Sequence, residues 1–324
     1  MTTSLTTLPA ARGPISAAVL ETLRERPAAP DLRDADPFGD DLHLALHLCY
    51  ELHYRGLPGV AADREWDTAL LEIRTQLETA FRTALRESVP GGSDVDTELD
   101  ALLTESAPDG AVGFLLAEGE WWHVRELFAH RSIYHLKEAD PHAWVIPRLS
   151  GPAKAGLVAV EFDEFGGGRA DRVHATLFAD LLAAAGLPDG YLALLEHVPG
   201  PMFALVNMMS MFGLHRASRG SLIGHFAAAE ITTAPAARRM DRILRRLDAP
   251  AACRFFYTEH IEADAVHEQV MRHEVVGGLL AAEPDLATDV VFGVQATALL
   301  EGQLDQHLLA CWQAGLSSLR QPLP

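Results

Sequence analysis

The stretch Phe256-Tyr-Thr-Glu-His-Ile-Glu-Ala-Asp-Ala-Val-His-Glu268 decides how the rest of the chain reads. Inside it sits His260-x3-Asp264-x2-His267. Each helical residue turns about 100°, so positions i, i+4 and i+7 fall within about 60° of one another. As a helix, the segment puts two imidazoles and a carboxylate on one stripe, at a spacing that can grip one metal ion. Two His and one carboxylate, with coordination positions left open, is the ligand set of non-haem iron sites that activate O2. The same stripe also reads as a solvated polar face, so the rest of the chain has to decide.

The chain has 324 residues, 48% of them hydrophobic, enough for one large domain or two. A formal charge of −19 argues against nucleic acid and anionic membrane surfaces as partners. Cys49, Cys253 and Cys311 lie far apart and form no CxxC pair. That pattern argues against a disulfide framework or a zinc-thiolate site and suits a reducing cytoplasm. Met1 to Pro14 lacks the apolar core of a secretory signal, and no apolar run is long enough to span a bilayer. The expectation is a soluble, cytoplasmic protein.

Hydrophobic spacing of three and four residues recurs along most of the chain, and strand signals are weak. Helices are expected near 15–26, 40–55, 66–86, 95–103, 118–137, 152–165, 170–185, 203–212, 222–231, 236–247, 251–276 and 284–314. Pro27, Pro30 and Pro37 mark residues 1–38 as a flexible arm. The rest, 39–324, reads as a single all-α domain.

A dinuclear site needs about six protein ligands with oxygen and imidazole donors. Glu230 lies in His225-Phe-Ala-Ala-Ala-Glu230, a small apolar helix surface where a buried carboxylate wants a cation; a helix-end Glu paired with Arg238 or Arg239 is the bland alternative. Glu164 ends one helical segment and His174 begins the next. Gly166-Gly-Gly168 between them allows a bend that brings the two together. Asp171 and Glu161 compete with Glu164 for the same role.

The order Glu164, His174, Glu230, His260-x3-Asp264-x2-His267 resembles the haem-oxygenase-like di-iron oxidases, also called iron-containing redox enzymes. From His174 to Glu230 is 56 residues and from Glu230 to His260 is 30, which matches the family's spacing. The resemblance covers roughly residues 110–315. It implies a seven-helix haem-oxygenase-like bundle, with additional helices at the N-terminus, that holds two Fe ions in place of haem. The ligands it implies are Glu164, His174, Glu230, His260, Asp264 and His267. It also implies O2 as co-substrate, a small and amino-acid-like substrate, N-oxygenation or oxidative C–C cleavage in specialised metabolism, and room for an external electron donor and a homodimer.

Other constellations compete. His43-x3-His47-x3-Glu51, Glu126-x3-His130 and Glu120-x2-His123 form helical stripes, read as surface, supporting or pocket residues rather than ligands. Arg216 and Arg219, three apart, are candidates to hold a substrate carboxylate. Two other classes stay open: a metal-free enzyme of the same fold group, either a cofactor-independent oxidase or a thiaminase-type hydrolase, and a non-enzymatic helical protein, structural or binding haem through His43, His47 or His53.

Overall fold

The computed structural model describes residues 5–26, 28–103 and 110–324, with the side chains of 262–266 left aside. No strand occurs among the described residues. The helices are α1 (Pro14–Leu23), α2 (Asp40–Glu51), α3 (Thr68–Ser88), α4 (Val95–Leu103), α5 (Gly110–Ala117), α6 (Trp121–His135), α7 (Asp140–Ala143), α8 (Gly151–Glu164), α9 (His174–Ala184), α10 (Gly200–Leu214), α11 (Arg219–Arg246), α12 (Ala251–Gln269), α13 (Gly277–Ala282) and α14 (Ala287–Gln313). A π-helical turn, Val270–Val276, joins α12 to α13.

Local chemistry sets many of these ends. Asp67 caps α3 by accepting from the Leu70 backbone N–H at 3.0 Å. Pro14, Pro152 and Pro201 sit in first turns, where the missing N–H costs nothing. The Glu120-x2-His123 pair is a capping device: the Glu120 backbone N–H donates to His123 Nδ1 at 2.9 Å.

Within the segment expected as an arm, α1 packs on α2. Ile15, Val19, Leu20 and Leu23 are buried in the main core, and the Asp41 carboxylate takes the Ile15 and Ser16 N–H groups at 2.8 Å.

The expected break at Pro235 does not occur. Helix α11 runs through it as one 28-residue element. Proline removes one backbone donor, but α11 lies against both α12 and α14, and that packing holds its two halves in line. Helices α11 and α14 touch backbone to backbone. A Cβ on Gly224 would lie 2.0 Å from the Val290 carbonyl, and one on Gly293 would lie 2.0 Å from the Ser221 carbonyl. Residues of α6, α8, α11, α12 and α14 line one common cavity.

Candidate metal centre

Helix α8 delivers Glu164 at its last residue. The chain then turns through Gly166, Gly167 and Gly168 at φ +75, +60 and +80°, values that side-chain-bearing residues rarely adopt. This bend returns α9 so that His174, its first residue, sets Nδ1 2.8 Å from Glu164 Oε2. The glycine triplet thus joins the two as its sequence suggested.

Helix α11 contributes Glu230, and α12 contributes His260 and His267. His267 Nδ1 lies 3.1 Å from Glu230 Oε2 and 4.0 Å from Glu164 Oε1. His260 donates Nδ1–H to the Phe256 carbonyl at 2.7 Å, which fixes the ring and reserves Nε2. The His174 and His260 ring centres are 4.4 Å apart. Glu164, His174, Glu230, His260 and His267 are all buried. Asp264 belongs to α12 between the two histidines, and its side chain lies outside the described residues.

One further acid joins them that sequence spacing did not single out. Glu138, just past α6, sets Oε1 2.9 Å from His135 Nδ1 and 3.8 Å from His260 Nε2. The donor atoms then fall into two sets, each compact enough to hold a metal ion: Glu138, Glu164, His174 and His260, and Glu164, Glu230 and His267. Within each set all donor atoms lie within 4.8 Å of one another, and Glu164 belongs to both.

The electrostatics fit a cation. Among the described residues, no Lys or Arg pairs with Glu138 or Glu164; their partners are histidines. Burial drives the Glu138 carboxyl upward, but His135 and His260 overcome it and hold it well below the ordinary value. Burial lowers His174, yet its hydrogen bond and ion pair with Glu164 raise it overall. Buried carboxylates sharing so few cationic partners are costly, and a bound cation would offset that cost. The donors are oxygen and imidazole without thiolate, the set that suits iron or manganese.

The two competitors for the Glu164 role have other surroundings. Asp171 is exposed and faces Arg169 at 3.4 Å. Glu161 is buried outside both sets, with no hydrogen-bond partner on either oxygen among the described residues. Burial first, then Glu164 and Glu230, push its carboxyl up to about 9, so it stays protonated at neutral pH.

Glu138, Glu164, Glu230 and His260 line a cavity of about 460 Å³. Met209, Phe226, Phe256 and Met240 supply apolar wall. Arg131 also lines it and grips Glu301 with two parallel bonds of 2.8 and 2.7 Å. The cavity's arginines are Arg131 and Arg239, not Arg216 and Arg219. Arg216 is exposed, and Arg219 pairs with Glu283.

The remaining stripes are structural. His43, His47 and Glu51 are completely buried rather than at the surface. Asn207 bonds the His43 carbonyl at 2.8 Å and faces His47 Nδ1 at 3.3 Å, while Lys137 pairs with Glu51. Glu126 and His130 bind Ser318 beyond α14: Glu126 Oε2 accepts from the Ser318 N–H at 2.9 Å, the Ser318 hydroxyl at 2.7 Å and Trp312 Nε1 at 3.0 Å. His130 Nε2 lies 2.9 Å from the same hydroxyl. No described helix is long and apolar enough to cross a membrane.

Comparison with known proteins agrees with this geometry. A nitrosourea synthase from Streptomyces achromogenes subsp. streptozoticus is 27% identical over 194 residues, which cover 58% of this chain and 41% of that protein. The chain therefore spans less than half of that relative's length. The family described as iron-containing redox enzymes matches residues 125–302, more than half of the chain and the whole of the acid–histidine cluster. By that match the protein belongs to the iron-containing redox enzyme family.

Proposed function

We propose that the protein is an O2-dependent, non-haem di-iron oxidase or oxygenase acting on a small, amino-acid-like metabolite. The observation that carries this reading is the sharing of Glu164 between two buried donor sets that open on one cavity. One iron would be held by Glu138, Glu164, His174 and His260. The other would be held by Glu164, Glu230 and His267. Counting Asp264, which the family resemblance implies as a further ligand, four carboxylates would balance the charge of two Fe(II). Iron bound there would supply the redox chemistry that activates O2.

The chain's own residues do the rest. The apolar wall excludes water and confines a small substrate against the donor sets. The Tyr134 hydroxyl lines the cavity and keeps its proton, because burial and then Glu138 and Glu164 raise it well above the ordinary value. Fixing His260 through Phe256 keeps its Nε2 directed without reorganisation. The name of the matched protein, a nitrosourea synthase, directs the substrate search to nitrogen compounds. An external electron donor would restore Fe(II) after turnover.

The test is anaerobic Fe(II) titration of metal-stripped protein, then mixing with O2 in a stopped-flow spectrometer. Close to two irons per chain, and a transient visible band lost in a His267→Ala variant, are expected. Glu138→Ala should lower the stoichiometry toward one. No tight iron binding, or binding unaffected by either substitution, would overturn the reading.

A further inference from the structure

Two cavity histidines stand apart from the donor sets. His142 and His225 both line the cavity, their ring centres 5.3 Å apart, and both are buried. His225 Nδ1 lies 2.8 Å from the Thr297 hydroxyl oxygen. That hydroxyl donates its hydrogen to the Gly293 carbonyl at 2.7 Å, so it can only accept from the ring. The His225 proton therefore sits on Nδ1, and Nε2 is a bare acceptor with no hydrogen-bond partner among the described residues. His142 stacks on Phe226, centres 4.1 Å apart, and neither of its ring nitrogens has a hydrogen-bond partner among the described residues. Burial keeps both rings neutral: it lowers His225 to about 4 and His142 well below its ordinary value. A neutral imidazole has one acceptor and one N–H. The pair thus offers two bare acceptors and one donor.

A buried polar atom without a partner is destabilising, and a ligand of matching chemistry relieves it. A hydroxyl has one hydrogen and can serve one acceptor. An NH2-type nitrogen carries two or more. We propose that His142 and His225 form a specificity subsite that binds an NH2-bearing nitrogen of the substrate (amine, amidine, guanidine or primary amide) and discriminates against isosteres that lack those hydrogens. This deepens the reading above and rests on the cavity being the substrate pocket. Selection of this kind is strong because the wrong ligand leaves buried acceptors unpaired.

The test uses Fe(II)-loaded protein, held anaerobic, in calorimetric titrations with n-butylguanidine, butyramide, 1-butanol and butyl methyl ether. The two NH2 probes are expected to bind about tenfold tighter than 1-butanol, the equivalent of about 1.4 kcal/mol. The ether should bind weakest. In His225→Leu the preference for NH2 should fall to within about twofold, the weight of one lost hydrogen bond. His225→Gln, which restores an acceptor, should recover part of it. Equal binding of the alcohol or ether in the parent, an unchanged preference in both His225→Leu and His142→Leu, or no binding by any probe would overturn the subsite. Iron stoichiometry of each protein is measured alongside. Normal loading with no NH2 preference sinks the subsite alone, whereas failure of the parent to load iron sinks the di-iron reading.

Discussion

Replacing Lys137 with Met should be among the most damaging single changes in this protein. The Lys137 ammonium and the Glu51 carboxylate are both fully buried and in direct contact. The ammonium also lies 4.1 Å from the Tyr54 ring centre. Around Glu51 the other partners are the Tyr191 hydroxyl, which donates to Oε2 at 2.6 Å, and His47 Nε2 at 3.3 Å. Burial raises the Glu51 carboxyl, but Lys137 foremost pulls it below the ordinary value, so it is ionised at neutral pH. Lys137→Met leaves that charge with one hydroxyl and one neutral ring. Removing one partner of a buried pair costs about 3–5 kcal/mol, a large part of the roughly 5–15 kcal/mol that holds a typical protein together. The double variant Lys137→Met/Glu51→Gln removes the orphaned charge and keeps an acceptor for Tyr191. It should return to within about 1–2 kcal/mol of the parent, as replacement of whole buried pairs does. Urea unfolding of the metal-free protein at pH 7.5, followed by circular dichroism, reads both values. A Lys137→Met protein within about 1 kcal/mol of the parent, below the cost of one buried unpaired group, would refute the argument. So would a double variant less stable than the single.

The carboxyl of Glu161 is raised to about 9 by burial and its acidic neighbours. A raised folded pKa stabilises most below the ordinary carboxylate range and loses that contribution as pH climbs toward 9. The metal-free parent should therefore lose melting temperature between pH 6 and 9, and Glu161→Gln should lose less; parallel curves would count against a protonated Glu161. Asp163 Oδ2 lies 3.1 Å from His267 Nε2, the ring nitrogen opposite the donor set. Asp163→Asn should weaken Fe(II) binding by about 10–100-fold with the fold intact, and unchanged affinity in the titration would remove Asp163 from that role. Glu126→Ala deletes three bonds to one oxygen. It should cost about 1–3 kcal/mol and expose residues 315–324 to limited proteolysis, whereas an unchanged digestion pattern would show that the tail is held by other contacts.

The donor set was legible where its members sit at helical or near-helical spacing. His260 and His267 share a stripe, and Glu164 and His174 flank a glycine bend whose purpose is conformational. Glu138 was not legible: it lies past the end of α6, and only the tertiary meeting of α6 with α12 gives it His260 as a neighbour. Its one local signal was His135-x2-Glu138 ahead of Asp140-Pro141. The His43, His47 and Glu51 stripe misled because its partners are remote: Asn207 and Lys137 make a fully buried polar network affordable, and neither is near it in sequence. Pro235 announced a helix break that packing on α12 and α14 overrides. Arg216 and Arg219 carried the correct chemistry for a carboxylate but do not line the cavity, whereas Arg131 gave no sign because its Glu301 partner is 170 residues away.

The glycine contact between α11 and α14 also bears on how this scaffold can be retuned. Laboratory evolution toward a new substrate would draw on Met209, Ala228 and Ala298, which line the cavity and can change volume one at a time. Gly224 and Gly293 offer no such latitude. Even a methyl at either position meets a carbonyl oxygen at 2.0 Å, so the helices must separate, at a cost of about 1–3 kcal/mol or more. Separation would also pull His225 from Thr297 and shift Glu230 relative to α12. The pocket is therefore evolvable in its lining and closed to change at its spine, and a mutational library should sample the first and leave the second alone.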